Sequence, residues 1–209
     1  MFAGPSQPDA EPDRWEFVSA APLLHVNGGG PNEHDLEVLA DGTVLLVMRF
    51  SWDGACTKPV GGPYRNYFAA LSKDEARTWS AITEMKNAGC VFPRLLQLDA
   101  GPTLLSGGRQ CTRKTVDVLL WASDNASDSD SSWSRHSLSF QHNRLWKGEA
   151  ALRFTPQVNQ SNPFSFLTQS YTSLVPLGPK AAIVFYQMYY GNAQGTGAAA
   201  FAMRVESVE

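Results

Sequence analysis

The chain has 209 residues, 43% hydrophobic and 18% charged, with a formal net charge of −3. That length and composition suit one globular domain and exclude collagen, coiled coil and wholesale disorder. Seventeen Lys+Arg against 20 Asp+Glu remove the electrostatic case for a nucleic-acid partner, and no apolar run approaches the roughly 18 residues of a membrane span.

Residues 1–14 are rich in Pro and acids and lack the apolar segment of a signal peptide. They are expected to form a disordered lead-in to a folded domain over 15–209. Beyond them, 17 Gly and 13 Pro are spread along the chain. Together with Asn, Asp and Ser they bound short apolar runs at Thr43–Phe50, Tyr67–Leu71, Leu104–Leu105, Val116–Ala122, Ala181–Tyr189 and Ala198–Val205. This punctuation predicts strands joined by tight turns. No stretch of 12 or more residues spaces its apolar residues as a helix would. Asn125–Ser132 and the polar stretch Gly148–Ser170 read as loops. The expected fold class is all-β.

Three stretches share one plan of extended lead, turn and apolar strand: residues 35–49, 93–109 and 172–187. Gly42 and Gly101, in the turns of the first two, lie 59 residues apart, about the length of a four-stranded propeller blade. The third copy is displaced further, consistent with an insertion at 148–170. A sandwich with long hairpins would also yield three such copies, so the repeat alone favours a propeller without excluding the sandwich.

The most specific local motif is Ser72-Lys-Asp74-Glu-Ala76-Arg-Thr78-Trp79, directly after the apolar run Tyr67–Leu71. It resembles the aspartate box, Ser-x-Asp-x-Gly-x-Thr-Trp, of sialidase-type six-bladed β-propellers. In such a hairpin the Ser and Asp side chains bond the turn's own amides, and the Trp folds back over it. Ala76 stands where the family has Gly, which predicts a distorted turn. A stretched second copy lies at Ser123–Trp133. The box is structural and speaks for fold.

The resemblance extends to segments that carry chemistry. Glu33-His-Asp-Leu-Glu-Val-Leu-Ala-Asp41-Gly42, continuing to Arg49, looks like the sialidase hairpin in which a Glu opens one strand and an Arg closes its partner. Ser170-Tyr171-Thr-Ser-Leu-Val-Pro-Leu resembles the segment with the family's catalytic tyrosine; where that hairpin often ends in Tyr-Glu, this chain has Tyr186-Gln187. Between them, Arg109 and Arg113 compete for another carboxylate-binding role: Arg109 is the repeat equivalent of Arg49, and Arg113 fits the position before the next strand.

The resemblance implies Tyr171 as nucleophile, Glu33 as its base, and Arg49 with Arg113 or Arg109 as carboxylate ligands. These residue types suit a sialic acid, whose anomeric carbon bears a carboxylate. A carboxylate nucleophile would be repelled by that charge, whereas a neutral phenol relieved of its proton by a Glu would not. Guanidinium forks match the two carboxylate oxygens. No cofactor is implied, and His25, His34, His136 and His142 show no metal-ligand spacing and read as surface or core residues. Cys56, Cys90 and Cys111 form neither a disulfide framework nor a zinc pattern and read as buried thiols. Asn125-Ala-Ser and Asn159-Gln-Ser are glycosylation sequons with meaning only in a secreted chain.

Two parts of the family pattern are missing. The first carboxylate-binding Arg and the acid/base Asp precede the Glu in sialidases, yet the 32 residues before Glu33 hold neither motif. The chain is therefore expected to be the C-terminal half of a propeller, three blades or four, with 198–206 as a closing strand. The implied function is hydrolysis of terminal sialic acid, or of another acidic glycoside, with little activity from this chain alone. The alternative is a non-catalytic propeller that binds carbohydrate or protein.

Overall fold

The computed structural model describes residues 16–20, 31–50, 66–89, 91–111, 116–128, 132–154, 171–192 and 195–207. The expected lead-in at 1–14 lies outside them, as do Cys56, Cys90, Arg113 and Asn159. The fold is mostly β, with 54% strand, in three antiparallel sheets that do not close into a barrel.

The first sheet holds β1 (Pro31–Val38), β2 (Val44–Phe50), β3 (Tyr67–Ser72) and β4 (Thr83–Met85), paired in chain order. The second repeats that order with β5 (Val91–Gln97), β6 (Thr103–Cys111), β7 (Val116–Ser123) and β8 (Ser134–Ser137). In the third, β10 (Ala181–Asn192) lies between β9 (Ser173–Gly178) and β11 (Gly195–Glu206). The three sequence copies are thus the first hairpin of each sheet. In the first, Gly42 takes φ +84° and the Asp41 carboxylate accepts from the Thr43 amide at 2.9 Å, the local chemistry that an Asp-Gly turn supplies. The stretch expected to close the molecule, 198–206, pairs instead with β10 as the outer strand of the third sheet.

Alternation along the strands explains the packing. Leu45 and Val47 of β2 face the second sheet, where they join Tyr67, Met85, Leu105, Leu119 and Trp121 in one buried cluster. Their neighbours Leu46 and Met48 point the other way and pack with Phe68, Trp79 and Ile82. In the second sheet Leu105, Leu119 and Trp121 face the first, while Leu104, Val118 and Leu120 face the third, against Ala182, Val184 and Tyr186. A sheet covered on both faces needs apolar residues at consecutive positions, which is why these strands read as unbroken apolar runs.

One element departs from the sequence expectation. Helix α1 (Leu138–Leu145) follows β8, and its eight residues are too few for a periodic pattern to show. Ser137 caps it, its hydroxyl accepting from the Phe140 amide at 3.1 Å and donating to Asp117 at 3.0 Å. The Ser139 hydroxyl also donates to Asp117, whose pKa burial raises above the ordinary carboxylate value. Leu138 and His142, four residues apart, are the helix's buried face. His142 donates from Nε2 to the Leu152 carbonyl and accepts at Nδ1 from the Tyr186 hydroxyl, both at 2.9 Å. The polar stretch expected as loop contains a short 3₁₀ turn at Ala150–Leu152 in its described part.

The Ser72–Trp79 hairpin forms as the box chemistry requires. Ser72 Oγ donates to Asp74 Oδ1 at 2.8 Å and accepts from the Ala76 amide at 2.9 Å. The two Asp74 oxygens accept from the Thr78 amide at 2.8 Å and the Thr78 hydroxyl at 2.6 Å. Ala76 adopts φ +66°, the left-handed conformation a Gly would take without strain, so the turn is kept and the side chain bears the cost. The Trp79 indole donates to Ser19 at 3.1 Å, and Ser19 donates to the Ala76 carbonyl, tying residues 16–20 to the turn. In the stretched copy Ser123 is buried like Ser72 and accepts from the Asn125 amide at 3.3 Å, while the Trp133 indole donates to the Ser127 carbonyl at 3.0 Å.

Candidate functional site

The first strands of the three sheets lie side by side and run in one direction. Between β1 and β5 the join is made by carboxylates. Glu33, Asp35 and Glu37 alternate along β1, so all three project from one side. They accept from the amides of Phe92 at 2.6 Å, Leu95 at 2.9 Å and Gln97 at 3.1 Å on β5. These bonds satisfy amides on the β5 edge that no strand covers. The second and third sheets meet through Ser106 and Thr172, whose buried hydroxyls are 2.7 Å apart, and through the Ala100 amide donating to the Pro179 carbonyl at 2.9 Å.

Parallel first strands bring their N-terminal ends together. Glu33 on β1, Phe92 on β5 and Tyr171 just before β9 gather there, with Arg49 arriving at the end of β2. Arg49 donates to Glu33 Oε2 at 2.6 Å, and both side chains are about 15% exposed. A charge at the end of the apolar strand β2 thus finds its partner in Glu33, across the hairpin. The same oxygen accepts from the Phe92 amide, so two donors converge on Oε2.

Tyr171 is 60% exposed, and its ring packs edge-to-face on Phe92 at 4.9 Å between centroids. The guanidinium of Arg94 lies 4.0 Å from the Phe92 ring centre and 3.9 Å from Asp35. Phe92 itself has φ +47°, a conformation that costs a bulky residue about 1–3 kcal/mol. It sits in a bulge: between the pairs Val91–Gly108 and Arg94–Ser106, β5 has two residues where β6 has one. β1 bulges at the equivalent place, Asn32-Glu33, between the pairs Pro31–Phe50 and His34–Met48.

Of the residues expected in the site, Glu33, Arg49 and Tyr171 therefore come together around Phe92. The backbone of Arg109 reaches the same end of the second sheet, one residue beyond Gly108, which pairs with Val91. Arg113 lies outside the described residues. Sequence reasoning missed Phe92, Arg94, Asp35 and the Ser106–Thr172 contact. The spacing that could have found the β1–β5 join is the repeat itself, since Glu33, Asp35 and Glu37 precede their donor partners by 59, 60 and 60 residues. A separate pocket of about 300 Å³, lined by Asn87, Ala88, Trp121, Trp133 and Arg135, opens between the first two sheets. Among the described residues no three His, Cys, Asp or Glu side chains cluster as metal ligands would, and no helix is long and apolar enough to cross a membrane.

No protein-family model matches the chain, and no curated protein matches it. A crystal structure of a protein of unknown function from Dyadobacter fermentans DSM 18053 is similar to it, with a TM-score of 0.56 and 18% identity. The match covers 90% of this chain and 42% of that one, so the chain spans about two fifths of that protein's length. At this identity the likeness concerns the fold alone.

Proposed function

We propose that the chain is a three-bladed portion of a sialidase-type β-propeller, its three sheets being blades and β1, β5 and β9 the strands that line the axis. The function we assign to its axial end is recognition and hydrolysis of terminal sialic acid on glycoconjugates. Tyr171 is the nucleophile, Glu33 accepts its proton, and Arg49, with Arg109 or Arg113, holds the substrate carboxylate. One observation supports this reading: the Phe92 amide bonds Glu33 while the Phe92 ring packs on Tyr171, so residues 138 positions apart share one neighbour.

The residues present supply a nucleophile, a base and a carboxylate ligand, and none has been assigned as the proton donor to the leaving group. The purified 209-residue chain is therefore expected to bind free sialic acid and to leave a fluorogenic sialoside uncleaved. Turnover of that sialoside would overturn the assignment of a missing acid. Failure to bind sialic acid by isothermal titration would overturn the site.

A second reading is favoured by the Arg49–Glu33 bond, which already occupies the guanidinium with a carboxylate of the protein itself. In that reading the propeller binds a carbohydrate or protein and the arginine is structural. Arg49→Ala separates the two: the sialidase reading requires loss of sialic-acid binding, and the structural reading does not.

A further inference from the structure

Phe92 belongs to none of the roles the sequence suggests, yet three of its features converge on the site. Its amide donates to Glu33 Oε2 at 2.6 Å, its ring meets Tyr171 edge-to-face at 4.9 Å, and the Arg94 guanidinium covers the ring at 4.0 Å. A left-handed φ of +47° within a bulge makes these contacts compatible. In a regular strand, the two-residue repeat would leave amide and side chain aimed by the pleat alone. The bulge instead turns the amide toward β1 while the ring lies toward the residue preceding β9.

We propose that Phe92 is a positioning residue that sets the Glu33 carboxylate and the Tyr171 phenol relative to each other. The inference rests on the assignment of these two as the reacting pair. Arg94 acts with it: stacked on the ring and anchored near Asp35, the guanidinium holds the ring from another side. A glycine would adopt the same backbone more cheaply but would bring no ring to Tyr171. The bulky side chain in a strained conformation is thus explained by what it touches on both sides.

The test needs no sialoside. In the full chain labelled with ¹³Cζ-tyrosine, the Tyr171 resonance is assigned by its loss in Tyr171→Phe, and its chemical shift at neutral pH is read with and without Glu33→Gln. In the wild-type background, Glu33→Gln is expected to move the Tyr171 resonance beyond measurement error, because Phe92 bonds the one residue and packs on the other. In Phe92→Gly, which relaxes the backbone and removes the ring, that shift is expected to fall within error. Phe92→Leu, which keeps a bulky apolar side chain but no aromatic face, is expected to reduce it and serves if the glycine variant does not fold. An undiminished shift in both variants, or no shift in the wild-type background, overturns the proposal. A chain that shows the coupling but binds no sialic acid would sink the sialidase reading and leave Phe92 in its positioning role.

Discussion

Arg49 and Glu33 form an ion pair at 2.6 Å across the β1–β2 hairpin, at the one point where β1 bulges. The bulge places two residues of β1 opposite Arg49, and Glu33 is the one whose carboxylate reaches the guanidinium. Both side chains are largely shielded, so each neutralises the other where water is scarce. Removing one partner leaves the other's charge uncompensated. Arg49→Ala and Glu33→Gln are each expected to lower stability by about 2 kcal/mol, with the double variant losing well under the sum. Urea denaturation of the four proteins in the cycle measures this, and strictly additive losses would refute the pairing.

Asp74 gives the aspartate-box turn a predictable acid limit. Bonds from the Thr78 hydroxyl and amide and from Ser72 lower its pKa to about 2 from the ordinary 3.8. Between these values the unfolded chain binds more protons, so stability falls as the pH falls. The contribution is complete above about pH 4 and is lost as the pH drops through about 2. Thermal midpoints measured across that window should fall less steeply for Asp74→Asn than for the natural chain. Parallel curves would assign the acid sensitivity elsewhere.

Ala76 holds a left-handed backbone that glycine adopts freely. Ala76→Gly is therefore expected to stabilise the chain by about 1 kcal/mol, the relief of the Cβ contact exceeding the entropy gained by the unfolded glycine chain. Ala76→Val should destabilise it, because a β-branched residue is still less suited to positive φ. Denaturant midpoints of the two variants must move in opposite directions.

His142 and Tyr186 are hydrogen-bonded in the core between the second and third sheets, beside Trp146, Phe154 and Phe201. Burial lowers the His142 pKa from 6.5, so the native protein holds it neutral at pH values where the unfolded chain protonates it. Stability from this source is complete above about pH 6.5 and declines as the pH falls below it. Tyr186→Phe removes the donor to Nδ1 and is expected to cost about 1–3 kcal/mol. Chemical denaturation at pH 7.5 and 5.5 reads both effects. His142→Gln, which has no charge to gain, should show a smaller difference between the two pH values.

Part of this architecture was legible because it is local. Asp41-Gly42 makes a turn from the Asp41 carboxylate and the positive φ of Gly42, and Ser72, Asp74 and Thr78 close a hairpin through bonds spanning at most four residues. The apolar runs of β2, β6 and β7 announced strands, and their packing on both faces came with the structure. The helix at 138–145 was not legible because its eight residues are too few for a periodic apolar pattern.

The short apolar runs bounded by turn residues pointed to an all-β fold, and the 59-residue spacing of two turn glycines marked a hairpin plan that recurs. The same residues marked Glu33, Arg49 and Tyr171 as worth placing. Where those side chains lie was settled only by the packing of the three sheets, which sets the starts of β1, β5 and β9 beside one another. Phe92 shows why the sequence alone falls short there. Its φ, the direction of its amide and the neighbour of its ring all depend on strands distant in sequence, and nothing in Cys90-Val91-Phe92-Pro93 records them. Local hydrogen bonds can be read from spacing, whereas a site built between sheets exists only once non-local packing has fixed their register.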